Sequence, residues 1–275
     1  MAPSRTTAYR YPGETVILIL TLIAVILVIL LTASATFCLS AVFVLIALAV
    51  AYFRNQASHR ALIEHAYPVN LQTEPELTRL VQQIMTRLHP GPIELFIAPV
   101  NALNAYTFGL SSPKVVVAYS ALFKEMDSDE MRFILGHELG HVSLGHTWLN
   151  TLVGGMAGIP APIGPAILLT GAFLWWNRAC EYSADRAGLL ACGQLNKAIS
   201  ALVKLEARPG TLHNAADIQR ALQAIQQEEN DLTHVLGETL ATHPTILRRI
   251  NALRLYAASP GYQRLQAWVS QPPRS

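Results

Sequence analysis

Residues 136–141 read Gly-His-Glu-Leu-Gly-His, a histidine pair spaced by four with a glutamate directly after the first. Residues four apart stand one above the other on an α-helix, so His137 and His141 can present imidazole nitrogens to one divalent ion. Glu138 lies beside them, free to reach a water on that ion and act as general base. A helix with two exposed histidines is the plainer alternative for so short a motif. Catalytic zinc takes a third protein ligand and leaves its fourth position to water. The stretch Arg178-Ala179-Cys180-Glu181-Tyr182-Ser183-Ala184-Asp185-Arg186 offers a candidate in Glu181. Glu181 and Asp185 are again four apart, so one can bind the ion while the other hydrogen-bonds the far nitrogen of a ligand histidine. The alternative is two exposed acids paired with Arg178 and Arg186.

His146 follows His137 by nine positions and His141 by five. On a continuing helix, at 100° per residue, it would lie about 180° and 140° away from them, so it cannot share their ion. A surface or helix-end position is expected, where a histidine complements the helix dipole. The three-histidine metzincin spacing requires a histidine where Thr147 stands, which excludes that class.

The helix that must carry the pair has its own start signal, because Asp127 and Glu130 can form a capping box. Upstream, Leu77, Leu80, Val81, Ile84 and Leu88 recur at helical spacing and predict a helix over Glu74 to Leu88, stopped by Pro90-Gly91-Pro92. Ile93 to Ile97, Ala105 to Leu110 and Lys114 to Tyr119 are rich in β-branched and aromatic residues and predict strands, with a turn at Ser111-Ser112-Pro113. Helical patterns run from Asp127 onward, and Pro260-Gly261 opens a short polar tail. The expected fold is mainly α with a small β-sheet (α+β).

Hydrophobic residues make up 52% of the 275-residue chain and charged residues 14%, against roughly 25% charged in soluble domains. That is the balance of a membrane protein, with length for one ordinary domain and appendages. A net charge of +2 and scattered basic residues exclude a nucleic-acid footprint, so no nucleic acid is expected as a partner. No charged residue occurs from Thr15 to Phe53, and the run breaks only around Thr32-Ala33-Ser34-Ala35-Thr36. Each half can cross a bilayer, which takes about 20 helical residues and tolerates 17. A transmembrane hairpin is therefore expected, Thr15 to Leu31 and Phe37 to Phe53. Arg5 and Arg10 before it, with Arg54 and Arg60 after it, place both flanks on the cytoplasmic side, and the plasma (inner) membrane is the expected location. A secretory signal cleaved at Ala33-Ser34-Ala35 competes, although the apolar run is longer than a usual signal core. Residues 1–56 then form the N-terminal segment and anchor, and residues 57–275 a single domain. Cys38, Cys180 and Cys192 lack metal-type spacing and read as reduced, buried thiols.

Gly-His-Glu-Leu-Gly-His-Val at 136–142, Glu-Tyr-Ser-Ala-Asp at 181–185, and Thr-His-Pro at 242–244 with Arg249-Ile250 together resemble the HtpX-type and CAAX prenyl protease family of membrane zinc metallopeptidases. The likeness covers about Ala57 to Leu255. Asn104-Ala105-Tyr106 also resembles the family's Asn-Ala-Phe segment on the edge strand before the catalytic helix. The resemblance implies a zincin-like domain of gluzincin type, with one zinc ion (Zn2+) per chain held by His137, His141 and Glu181. It implies Glu138 as catalytic base, Asp185 as partner of His137, and His243 as a catalytic donor to the oxyanion. A histidine that opens a turn before Pro244 is the alternative for His243, and Arg249 is expected to be structural. Asn104, Ala105 and Tyr106 would bind substrate backbone along the strand edge. The implied activity is that of a zinc endopeptidase cutting protein or peptide substrates near the lipid bilayer, with misfolded or unassembled membrane proteins as targets. A non-catalytic, zinc-stabilised membrane scaffold is the competing class, but a structural site usually closes its fourth position with a protein ligand, often cysteine. An intramembrane site is disfavoured by Asp127, Asp129, Glu130 and Arg132 at the start of the motif helix.

HtpX-type members often carry two further transmembrane helices between the histidine motif and the glutamate. Here Thr147 to Asn177 is uncharged yet contains Pro160, Pro162 and Pro165, and 39 residues separate His141 from Glu181. Two crossings would take about 40, and ligands that meet at one ion require an even number. Zero crossings is expected. The segment is then either a shallow re-entrant or interfacial loop, with Trp175 and Trp176 at headgroup level, or a buried helix pair within the domain.

Overall fold

A computed structural model describes residues 8–35, 39–153, 164–207, 209–212, 214–228 and 244–269. The chain opens with two long helices that lie against each other, α1 (Glu14–Ala35) and α2 (Leu39–Ile63). Within α1, Glu14–Leu31 is long and apolar enough to cross a membrane, with a mean hydropathy of 3.0 and only 11% of the stretch buried inside the protein. It is the single such stretch among the described residues, so the expected hairpin of two spans is not seen as a pair. The apolar part of α2 that is described, Leu39 to Phe53, has 15 residues, short of the roughly 17 that a crossing tolerates. Phe37 and Cys38 lie outside the described residues. No glycine or proline interrupts α2, which continues past Phe53 through Arg54 and Arg60 to Ile63.

Next come β1 (Tyr67–Pro68), α3 (Pro75–Leu88), β2 (Ile93–Ala98), β3 (Ala105–Phe108) and β4 (Lys114–Tyr119). The strands form one sheet in the order β1-β2-β4-β3, with β2 and β4 parallel and the two outer strands antiparallel to their neighbours. β3 stops at Phe108, short of the expected Leu110, because Gly109 adopts φ 125, a conformation open to glycine and outside the strand region. Side chains alternate across the sheet. Val116 and Ala118 enter the main core, which also holds Leu77, Ile84 and Leu88 of α3, while Val117 and Phe108 face Leu62 and Ile63 at the end of α2.

After α4 (Leu122–Glu125) comes the motif helix α5 (Ser128–Leu144), with the capping box in place: Asp127 accepts from the Asp129 and Glu130 amides, and Glu130 accepts from the Asp127 amide. Glu130 also accepts from Ser200 Oγ at 2.5 Å and Lys204 Nζ at 2.7 Å, both on α8 (Leu195–Glu206). Gly145 ends α5 in the left-handed region at φ 78, and α6 (His146–Val153) starts at once. The long helix α7 (Gly164–Cys192) then lies directly on α5. The contact is nearly backbone to backbone. A Cβ at Gly136 would stand 2.5 Å from Ala191 Cβ, one at Gly140 2.5 Å from Ala187 Cβ, and one at Gly188 2.7 Å from the Phe133 carbonyl oxygen.

The expected loop or helix pair across Thr147 to Asn177 is thus α6 and the first half of α7, with residues 154–163 outside the described residues. That half of α7 packs along α1: Thr21 Oγ1 donates to the Ala172 carbonyl at 3.1 Å. Trp175 is exposed, but Trp176 is buried among Leu149, Cys180, Ile17 and Leu18. The expectation of both indoles at the headgroups is corrected for Trp176, because consecutive helical residues point in different directions. Cys180 and Cys192 are free and buried. The chain continues through α9 (Ala215–Glu228), α10 (Ile246–Ala257) and α11 (Pro260–Val269). The polar tail expected from Pro260 is instead a helix with Tyr262 buried, since proline is well suited to the first helical position.

Candidate active site

The glycine-mediated contact of α5 and α7 decides where the chemistry-bearing side chains meet. His137 Nε2 lies 3.2 Å from His141 Nε2 and 3.6 Å from Glu181 Oε2, and His141 Nε2 lies 3.4 Å from Glu181 Oε1. All three side chains are largely buried. Tetrahedral zinc with bonds of about 2.0–2.1 Å spaces its ligand atoms about 3.3 Å apart, so the donor set fits such an ion. Proton inventory points the same way. His137 Nδ1 lies 3.0 Å from Asp185 Oδ1, so it carries the hydrogen and Nε2 keeps a lone pair. Lone pairs and a carboxylate converging on one point call for a cation.

Asp185 is buried and held by Arg249 of α10, whose Nη2 lies 2.6 Å from Oδ1 and whose Nε lies 2.8 Å from Oδ2. Both acids of α7 are buried, against the alternative of exposed acids, and Asp185 takes its arginine from α10. Arg186 instead covers the rings of Tyr11 and Tyr256 at 5.0 and 4.5 Å. Burial works to raise the pKa of Asp185, but Arg249 and His137 outweigh it and hold the carboxyl below the ordinary carboxylate value. Burial likewise disfavours the charged form of His137, yet Asp185 and Glu181 outweigh it and raise its pKa above the usual histidine value. Arg249, expected to be purely structural, also lies 3.6 Å from Glu181 and lines the cleft.

His146 overturns its expected surface position. It is 2% exposed, with Nδ1 2.9 Å from His141 Nδ1 and Nε2 3.1 Å from Glu14 Oε1. Burial pushes its pKa down to about 4 despite the neighbouring Glu14. The angular reckoning assumed that α5 continued. Gly145 breaks the helix first and turns His146 back toward His141.

Thr107 of β3 belongs to no motif of the sequence, yet its hydroxyl donates to Glu138 Oε2 at 2.5 Å. Strand alternation explains the choice, because Thr107 faces α5 while Tyr106 and Phe108 turn to the far side and stack near His59 of α2, at 6.1 and 3.7 Å between ring centroids. A cavity of about 530 Å³ opens over Glu138, bounded on one side by Asn104 to Thr107 and on the other by Phe173 and Trp176 of α7. Asn104 itself precedes the strand, and its carbonyl accepts from the Tyr119 amide at 3.0 Å. His243 lies outside the described residues. Its neighbour Pro244 lines the same cavity.

A metal-ready trio, a carboxylate beside it, and a sheet-edge strand alongside are what amide hydrolysis at a metal ion requires, and they place the chain in the class of metallopeptidases. Residues 71–163 and 157–257 match peptidase family M48, and the chain belongs to that family. It is 28% identical over 228 residues to Protease HtpX of Acinetobacter baumannii (strain AYE), an alignment spanning 70% of this chain and 74% of that protein. It is 27% identical over 228 residues to the plastoglobule-localized metallopeptidase 48, chloroplastic, of Arabidopsis thaliana, covering 77% of this chain and 60% of that one. A Protease HtpX homolog of Kineococcus radiotolerans is 26% identical over 167 residues, 60% of this chain and 57% of that relative.

Proposed function

We propose that this protein is a membrane-anchored zinc endopeptidase, with its catalytic domain on the cytoplasmic side and membrane-proximal proteins as substrates. The observation that carries the reading is the convergence of His137, His141 and Glu181 within 3.2–3.6 Å of one another, beside Glu138 and under the edge strand β3. The three residues would hold the ion, which when bound polarises a scissile carbonyl and acidifies a water toward a pKa of about 7. Glu138 takes the proton from the attacking water and hands it to the departing amine. Thr107 aims the Glu138 carboxylate. Asp185 orients His137, and Arg249 keeps Asp185 ionised. Asn104, Ala105 and Tyr106 lie where an extended substrate can add to the sheet edge through its backbone. His243, preceding Pro244 at the cavity wall, serves as a donor to the oxyanion.

Membrane anchoring rests on α1, with α2 as the return arm of a hairpin. Both the start of α1 and the end of α2 dock on the catalytic body, since Glu14 meets His146 and Asn55 donates to the Thr151 carbonyl at 3.1 Å. This docking supports a site at the membrane surface, and membrane-protein quality control is the role that suits such a place. The name Protease HtpX carried by relatives supports proteolysis. Glu138→Gln in the full-length protein in detergent should keep its metal and lose cleavage of an unfolded protein substrate. Persistent cleavage by that variant would remove Glu138 from its role, and undiminished proteolysis by metal-free protein would sink the reading as a whole. Protease accessibility in inverted and right-side-out vesicles tests orientation, and exposure only from outside would refute it.

A further inference from the structure

Asp185 supports His137 directly at its Nδ1, whereas the Nδ1 of the other ligand histidine meets a second histidine. His141 Nδ1 meets His146 Nδ1 at 2.9 Å, and His146 Nε2 meets Glu14 Oε1 at 3.1 Å. His146 and Glu14 are 2% and 1% exposed, and they come from the first residues of α6 and α1. The hydrogens along this line can be assigned. An ionised carboxylate only accepts, so His146 Nε2 carries a hydrogen toward Glu14. A neutral His146 then has a bare Nδ1, and the one hydrogen between the two Nδ1 atoms belongs to His141. His141 must therefore present its Nε2 lone pair toward His137 and Glu181.

We propose that Glu14 and His146 are positioning residues of the metal centre, a two-residue relay that supports His141 as Asp185 supports His137. The assignment rests on the metal reading given above. Glu14 is fixed for this task, since Arg10 and Ser183 also donate to its carboxylate, and Arg10 further donates to the Leu144 carbonyl at 3.1 Å. Arg10 offsets the charge of Glu14 as Arg249 offsets that of Asp185. Cys180 Sγ lies within 4.8 Å of the Glu14 and His146 ligand atoms, which raises a second ion as a rival. The guanidinium already bound to Glu14 opposes a cation there, and both His146 nitrogens are engaged. The geometry favours the relay.

The test uses full-length protein in detergent, with metal affinity measured by competition against a chromophoric chelator and ligand geometry followed by the visible spectrum of the cobalt-loaded protein. Loss of such an outer hydrogen bond typically weakens metal binding about 10- to 100-fold, and that is the loss expected for His146→Leu and Glu14→Ala, with an altered cobalt spectrum. His146→Gln keeps one acceptor and one donor along the same line and should recover most of the affinity. A purely structural role would lower thermal stability while leaving the affinity and spectrum of the folded protein unchanged. Should His146→Leu not fold by circular dichroism, Glu14→Gln withdraws the charge while conserving shape and is expected to weaken binding and shift the spectrum. Parent affinity and an unchanged spectrum in folded Glu14→Gln would overturn the relay. Two ions per parent chain, one of them lost in Cys180→Ala, would also overturn it. A parent chain that binds no ion, or His137→Ala with full affinity, would instead remove the metal reading and the relay with it.

Discussion

The Thr107 hydroxyl stands 2.5 Å from Glu138 Oε2 and 3.3 Å from the Glu138 carbonyl oxygen, so the strand edge and the motif helix meet at the group proposed as general base. A hydroxyl has one hydrogen to donate, and the shorter contact takes it. Thr107→Val keeps the shape and removes the donor. Hydrogen bonds to charged groups are worth about 1.5–3 kcal/mol, so kcat should fall about 10- to 100-fold, with KM and metal content little changed. Steady-state kinetics on a peptide substrate measure this, and an unaltered kcat would mean that Glu138 is aimed by something else.

Gly140→Ala tests the contact that assembles the ligands. In an ordinary helix interior this change stabilises by about 1 kcal/mol. Here the new methyl would lie 2.5 Å from Ala187 Cβ, and neither backbone can yield cheaply. Overpacking costs about 1–3 kcal/mol, so thermal unfolding should come earlier, with a loss of metal affinity as Glu181 moves away from the histidines. A gain in stability would show that α5 and α7 part more easily than their packing implies.

Arg249→Met strands the buried carboxylate of Asp185. Removing one partner of a buried ion pair costs about 3–5 kcal/mol, to be read from denaturant titration. Arg249→Lys restores the charge but not the double contact of Nε and Nη2 at 2.8 and 2.6 Å, and should fall between the parent and the methionine variant.

Asp127→Ala removes the cap of α5 and should cost about 1 kcal/mol at neutral pH. Burial raises the Asp127 pKa, but Lys197 and the amides of Glu130 and Asp129 outweigh it and hold it below the ordinary value. A depressed folded-state pKa means that this stability is complete above the unfolded value of about 3.9 and is lost as pH falls through the folded one. The difference between parent and variant should therefore shrink in acid. A constant difference down to low pH would assign it to helix propensity and not to the charged cap.

His137, His141, Glu181 and Asp185 were legible because each pair obeys helical spacing, which is local and written in the chain. The strands β2 and β4 are legible through their concentration of β-branched and aromatic residues, a local signal as well. The buried place of His146 is not given by helical spacing, because Gly145 ends the helix on which that spacing is counted, and this glycine is the local signal of the break. Glu14 and Thr107 were illegible in a different way. Glu14 lies 132 positions from His146 and Thr107 lies 31 from Glu138, and no periodicity reports pairings made only by tertiary packing. The glycines of the motif show both sides: the local pattern marks a helix, while the reason for Gly140 stands on α7.

The support of the metal trio is drawn from both ends of the chain, with Glu14 in the first helix and Arg249 in α10. A chain emerging from the ribosome N-terminus first carries the histidine motif well before it carries Arg249. Until then Asp185 lacks its counter-ion and His137 its firm orientation. On the proposed reading, competence to cut comes only after most of the chain, with α1 and the histidine motif already in it, has been made.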